Sequence, residues 1–236
     1  MDDIIIIIPA YNEAKNIFEL VKTIKEYGLN VLVIDDCSSD KTASLALMAG
    51  AMIVKHPTNM GYGVALQTGY KYALSCKYKY LVQLDGDGQH NPQDILTVLQ
   101  PILDGEADLC IGSRFLDSQE YKPPYLRRLG MKLFKKILKV LTKSIITDPT
   151  SGYQAMNSKI FRYLSLDTFP DDYPDADVIY MLLCAGAKIK EVPIKMNYNN
   201  EKSMHANLFN NIYYVLKMNL LLLTYCFKNI KKIEDE

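Results

Sequence analysis

Neither charge is in excess in these 236 residues, no CxxC pair occurs, and the histidines do not cluster. Each absence removes a class of function. Lys plus Arg number 27 and Asp plus Glu number 27, so a nucleic acid would have to be gripped by a local basic patch, and no nucleic-acid partner is expected. The five cysteines, Cys37, Cys76, Cys110, Cys184 and Cys226, are scattered along the chain. That spacing argues against a zinc site and against a secreted disulfide framework, leaving reduced thiols in a cytoplasmic protein as the simpler expectation. No GxGxxG follows the first apolar run, which disfavours a dinucleotide-binding oxidoreductase. Met1-Asp2-Asp3 supplies no basic region before Ile4–Ile8, so that run is expected to be a buried strand rather than a secretion signal.

What is present is a regular alternation. Ile4–Ile8 is β-branched without polar alternation, as suits a strand covered on both faces, and Pro9 is expected to end it. Ile17, Leu20, Val21 and Ile24 fall on one helical face, stopped by Gly28. Strands are expected at Val31–Ile34, Ala51–Val54, Tyr78–Leu84 and Ala107–Ile111. Helices are expected from Lys41, from the Asn59–Gly63 segment to Ala73, and over Pro92–Leu103. This order predicts an α/β fold with a doubly wound, mostly parallel sheet and helices on both faces. Beyond Arg114 the reading is a loop at Tyr121–Pro124, a basic helix over Leu126–Leu141 and a polar turn region over Asp148–Met156. A helix at Asp175–Ala185 and short strands at Lys188–Val192 and Lys195–Tyr198 follow.

Chemistry-bearing residues recur where the strands end: Glu13, then Asp35 and Asp36, then Asp85 and Asp87, then Arg114. Carboxyl ends of parallel strands open onto the ligand crevice, so four such turns in succession describe one nucleotide-and-metal site. The Asp85-Gly86-Asp87 turn is poised to hold a divalent cation and, through it, phosphates. A polar turn capping the helix that starts at Asn91-Pro92 is the plainer alternative.

Pro9-Ala10-Tyr11-Asn12-Glu13, Asp35-Asp36, Asn59-x-Gly61, Asp85-x-Asp87, Gly112-Ser113-Arg114, Asp148-Pro149-Thr150-Ser151-Gly152 and Glu191-Val192-Pro193 together resemble the family 2 glycosyltransferases. Within that family the resemblance is to the dolichyl-phosphate or polyprenyl-phosphate sugar synthase branch. It implies a GT-A fold over residues 1–205 and a donor that is a UDP- or GDP-linked sugar. The implied acceptor is a polyprenyl phosphate or another glycan-pathway molecule, a saccharide hydroxyl being the rival. A Mg2+ or Mn2+ ion suits this chemistry, because a diphosphate leaves readily only when its charge is neutralised.

By the same resemblance Asp87, Asp85 and Gln89 surround the cation, Gln89 having a helix cap as its alternative. Pro9, Tyr11 and Glu13 shape the base and ribose pocket, and Asp35 or Asp36 bonds the nucleobase; a helix N-cap is the other reading of Asp36. Arg114 resembles the arginine that meets a diphosphate or acceptor phosphate, with Arg127 and Arg128 able to extend that patch or to form a solvated helix face. Asp177 occupies the position of the family's acidic residue ahead of Glu-Val-Pro; it would be a base for a hydroxyl acceptor and an orienting group for a lipid phosphate. Asp175 reads as a helix cap and His90 as a turn cap. The sequence departs from the family at Cys37, where glycine is usual, and at Asn199–His205, where an arginine is missing and Lys202 and His205 could supply charge.

Residues 206–236 read as a separate amphipathic helix. From Leu208 to Phe227 it is nearly all apolar, but Asn210, Lys217, Thr224 and Lys228 form one polar stripe, and Lys231 and Lys232 follow. Such a helix fits the cytoplasmic surface of a membrane, or a protein partner. A noncatalytic nucleotide-sugar-binding module is the remaining alternative for the whole chain.

Overall fold

The computed structural model describes residues 2–116, 144–166 and 176–196, with single positions at 139, 142, 169, 170, 174, 230, 232 and 233. One seven-stranded sheet runs through them in the order β3-β2-β1-β4-β6-β5-β7. Its strands are β1 (Ile4–Ala10), β2 (Asn30–Asp35), β3 (Met52–Lys55), β4 (Tyr80–Gln83), β5 (Leu109–Ser113), β6 (Gln154–Asn157) and β7 (Ile189–Pro193). All pairings are parallel except those of β6, which runs antiparallel between β4 and β5.

Side-chain alternation along β1 shows why helices must cover both faces. Ile4, Ile6 and Ile8 enter one core with α1 (Ile17–Glu26), α2 (Thr42–Met48) and α4 (Ile95–Leu103). Ile5 and Ile7 enter the other with α3 (Tyr62–Ser75), α5 (Ser158–Leu164) and α6 (Ala176–Ala185). A strand buried on both sides has no polar face to display, hence the unbroken isoleucine run. The expected GT-A-like layering is therefore the observed one.

Three local expectations are corrected. Pro9 does not end β1, which continues to Ala10. Leu84 N–H donates to Ile7 O, so Pro9, two residues on, turns its nitrogen toward the same side, beyond the end of β4, where a missing donor breaks no ladder bond. Residues 154–157, read as part of a polar turn region, form the inserted strand β6. Tyr153 and Ala155 face one core and Met156 the other, a period-2 pattern that the Asp-Pro-Thr-Ser-Gly turn before it obscures. Of the strand expected at Lys195–Tyr198, the described part makes only a single antiparallel bridge, Met196 to His90. Helix α5 was not anticipated; Asn157 caps it by accepting from Ile160 N–H at 3.2 Å.

Apart from position 139, the segments 126–141 and 206–229 lie outside the described residues, and with them the basic and C-terminal helices. Two of the described tail residues bond to α6: Ile233 N–H donates to Ala185 O and Lys232 Nζ to Cys184 O, both at 3.1 Å. These bonds satisfy carbonyls at the C-terminal end of α6, where a cation is also favoured by the helix dipole. Among the described residues no helix is long and apolar enough to cross a membrane.

Candidate active site

The loops after β1 and β2 are clasped together. Asn12, at φ 57°, accepts from Ser39 N–H at 2.9 Å, while its own N–H donates to Ser38 Oγ at 2.9 Å. Glu13 N–H donates to Thr42 Oγ1 at 2.8 Å and Ala14 N–H to Asp40 Oδ2 at 3.1 Å. Asparagine tolerates that left-handed backbone better than most residues. Cys37 also lies there at φ 64°.

The paired aspartates divide the work. Asp36 accepts from Met60 N–H at 2.9 Å, from Gly61 N–H at 2.8 Å and from His56 Nδ1 at 2.7 Å. It thus pins the two residues that lead into α3 and is not the N-cap of the helix that follows it in sequence, where Lys41 stands. Asp35 is fully buried at the end of β2, and its Oδ1 accepts from Ser38 N–H at 3.1 Å. Its Oδ2 has no hydrogen-bond partner among the described residues and lies 3.6 Å from Lys55 Nζ.

The turn after β4 packs onto the β1 loop. A Cβ on Gly86 would stand 3.3 Å from Pro9 O and 3.4 Å from Glu13 Cγ, which places the Asp85–Asp87 turn directly beside Glu13. Gly88, at φ 74°, reverses the chain, and Gln89 N–H donates to Asp87 Oδ1 at 2.9 Å. Burial, and then the charge of Asp85, pushes the Asp87 carboxyl above its ordinary value. Glu13 is raised by burial, partly relieved by the Asn16 amide, and raised further by Asp87 and Asp85. His90 is the turn cap it was expected to be: Asp85 N–H donates to its Nδ1 at 3.2 Å, which puts a neutral ring's proton on Nε2. Burial lowers the His90 pKa, in keeping with a neutral ring.

Hard oxygen donors crowded so that they resist ionisation are what a divalent cation relieves. Among the described residues no three acidic, histidine or cysteine side chains form a ready-made cation cage. Asp85 and Asp87 therefore fit a cation whose remaining ligands come from a bound molecule and water, the usual arrangement for Mg2+ with phosphates.

Asp85 itself is gripped from outside the turn. Tyr62 Oη, at the start of α3, donates to Asp85 Oδ1 at 2.8 Å. A Cβ at Gly152 would fall 2.9 Å from Asp85 Oδ2. Sequence reasoning missed both residues, because neither Tyr62 nor Gly152 carries a signal of what it touches.

The loop bearing Gly152 is fixed by three motifs. Arg114 Nε and Nη2 donate to Asp148 Oδ2 and Oδ1 at 2.6 and 2.7 Å, and Nη2 also reaches Thr150 O and Oγ1 at 3.1 and 2.9 Å. Burial disfavours the Asp148 anion, but the Arg114 hydrogen bonds and charge outweigh it and hold the carboxyl below its ordinary range. Glu191 accepts from Thr147 N–H and Asp148 N–H, both at 2.7 Å, and Ser151 Oγ donates to Gly112 O at 2.6 Å. The Gly-Ser-Arg, Asp-Pro-Thr-Ser-Gly and Glu-Val-Pro motifs thus serve one loop. Arg114, expected at a phosphate, makes these contacts within the protein.

Of the remaining expected residues, Pro9 is buried in β1, Tyr11 is 48% exposed, and Asp177 is fully buried in the first turn of α6. Arg127, Arg128, Asp175, Lys202 and His205 lie outside the described residues.

Known proteins are similar to this chain in sequence and fold. The chain is 30% identical over 215 residues to the UDP-N-acetylglucosamine–dolichyl-phosphate N-acetylglucosaminyltransferase of Methanococcus voltae, covering 83% of this chain and 86% of that protein. It is 29% identical over 201 residues to the polyprenol monophosphomannose synthase of Mycolicibacterium smegmatis, covering 80% and 76%. Its fold matches that of glucosyl-3-phosphoglycerate synthase from Mycobacterium tuberculosis, solved with Mn2+, uridine diphosphate and phosphoglyceric acid. That match has a TM-score of 0.68 at 20% identity and covers 94% of this chain and 78% of that one. A family model described as "Glycosyl transferase family 2" matches residues 5–164. With the family model covering most of the chain and the fold agreeing, this chain belongs to the family 2 glycosyltransferases and is a GT-A enzyme similar to the polyprenyl-phosphate sugar transferases.

Proposed function

We propose that the enzyme is a metal-dependent inverting transferase that moves a sugar from a UDP- or GDP-linked donor to a polyprenyl phosphate. The observation that carries this is the Asp85-Gly86-Asp87 turn, held beside Glu13 with its carboxyl groups crowded. A bound Mg2+ or Mn2+ ion supplies charge neutralisation to the departing diphosphate. Asp87 and Asp85 hold that ion, with Gln89 next along the turn. Asp35, whose Oδ2 has no hydrogen-bond partner among the described residues, accepts from the base, while Pro9, Tyr11 and Glu13 line the base and ribose pocket. Asp36 and Arg114 act as positioning residues, given their internal contacts. Arg128, with Arg127, carries the acceptor phosphate.

A lipid phosphate is already ionised at neutral pH and needs no strong base, so Asp177 orients the acceptor or sugar. Two relatives bear names that specify dolichyl phosphate or polyprenol monophosphomannose, and this supports the acceptor class. Such an acceptor places the protein at a membrane surface, on the cytoplasmic side where nucleotide sugars are held; residues 206–236 form the contact. The test is transfer from a panel of UDP- and GDP-sugars, with and without Mn2+, to undecaprenyl or dolichyl phosphate and to saccharides. Metal-dependent product on the lipid phosphate is expected. Product on saccharide hydroxyls alone, or undiminished turnover in Asp87→Ala, overturns the proposal.

A further inference from the structure

We infer that Tyr62 and Gly152 jointly set the orientation of Asp85, so that the affinity of the Asp85–Asp87 site for its cation is determined by two residues that do not ligate it. The inference rests on the metal-site reading above. It starts from the shortness of an aspartate. With one methylene between backbone and carboxyl group, Asp85 can present an oxygen to a cation only in a narrow range of side-chain angles, and something must hold it there.

Three contacts act on Asp85 from three parts of the chain. The backbone N–H is tied to His90 Nδ1, which fixes the main chain at the start of the turn. Tyr62 Oη donates to Oδ1 and so restrains rotation of the carboxyl group while leaving Oδ1 lone-pair capacity and all of Oδ2 for other contacts. Gly152 is where a side chain is missing by necessity: its Cβ would come within 2.9 Å of Oδ2, 3.1 Å of Oδ1 and 3.2 Å of Tyr62 Oη. All three distances are below ordinary van der Waals contact, so an alanine must displace the carboxylate, the tyrosine or both.

Gly152 is also outside the left-handed backbone region, so its glycine is not required by backbone conformation. The space beside Asp85 is what requires it. The two grips also have separate anchors. Tyr62 sits in the first turn of α3, whose entry is pinned by Asp36 through Met60 and Gly61. The loop of Gly152 is pinned by Arg114, Asp148 and Glu191. Motifs remote from the cation in sequence thereby converge on one carboxylate.

Removing groups that orient a ligand from behind typically lowers metal affinity by about 10- to 100-fold. The experiment is an electron paramagnetic resonance titration of free Mn2+ against the protein with UDP or GDP present, for wild type, Tyr62→Phe, Gly152→Ala and Asp87→Ala. Thermal melting without metal serves as the folding check. Tyr62→Phe and Gly152→Ala are each expected to weaken Mn2+ binding about 10-fold or more. In turnover the loss is expected in the Mn2+ concentration needed for half-maximal rate, with kcat recovering at high Mn2+, a pattern that general loosening of the fold would not give.

Wild-type Mn2+ affinity in both variants overturns the inference. If Gly152→Ala melts early, Tyr62→Phe decides alone. No Mn2+ binding by wild type, or unchanged binding in Asp87→Ala, overturns the metal-site reading itself and this inference with it, so the two failures are told apart.

Discussion

Asp148→Asn tests whether the loop beside Asp85 is held by charge or by shape. Asp148 is fully buried, and the Arg114 side chain facing it is only 8% exposed. The substitution preserves volume and one acceptor oxygen but leaves the guanidinium positive, out of water and without its counter-ion. Breaking one side of a buried pair costs about 3–5 kcal/mol. Arg114 keeps its bonds to Thr150 O and Oγ1, so the lower end, about 3 kcal/mol, is expected. With a urea slope of about 3 kcal/mol/M, the midpoint should fall by about 1 M. The chain has 17 tyrosines and no tryptophan, so far-ultraviolet circular dichroism is the natural probe.

The pH dependence carries the same sign. Because the folded Asp148 carboxyl is held low, its contribution is fully present above the unfolded value of about 3.9 and is lost as pH falls through the lower folded value. Asp148→Asn should remove that acid-limb dependence. A companion variant, Arg114→Met with Asp148→Leu, should recover much of the lost stability, since apolar replacement of a whole buried pair is often neutral. A loss below about 1 kcal/mol in Asp148→Asn would refute the reasoning.

Two further outcomes follow from the site. Cys37→Gly relieves a left-handed backbone that costs an ordinary residue about 1–2 kcal/mol, offset by glycine's greater freedom when unfolded. A rise in melting temperature of about 1–4 °C is expected, and a fall would mean that the Cys37 Sγ contact with Pro57 O matters more than the backbone. Asp87→Asn should stabilise the metal-free protein while removing the stabilisation that Mn2+ and UDP confer. The raised Asp87 carboxyl disfavours the folded state increasingly as pH rises from the unfolded pKa through the folded one, so the gain should be seen above that window and vanish below about pH 4. Melting curves across pH check this; an unaltered Mn2+ effect would contradict it.

Much of the architecture was legible because it rests on short-range pattern. The isoleucine run of β1, the helical face of α1 and the carboxylates at successive strand ends each announce themselves within about ten residues. The antiparallel β6 did not, since its four residues follow turn-forming ones and derive their strand character from lying between β4 and β5. Pro9 misled for a related reason: whether a missing N–H breaks a strand depends on where the neighbouring strand stops.

The site divides in the same way. That Asp85, Asp87 and Glu13 are acidic, and that they lie at the carboxyl ends of strands bound for one crevice, was written in the sequence, because residue type and strand order are local properties. Which carboxylates face the crevice was not. Asp36 turned out to serve the entry to α3, and Arg114 to serve Asp148, because each lies within bonding distance of groups 24 and 34 residues away. The same holds for Tyr62 and Gly152, which touch Asp85 only once α3 and the 147–152 loop have packed around β4. Chemistry resides in side chains the sequence names, but orientation comes from contacts between distant segments, which exist only in the folded sheet.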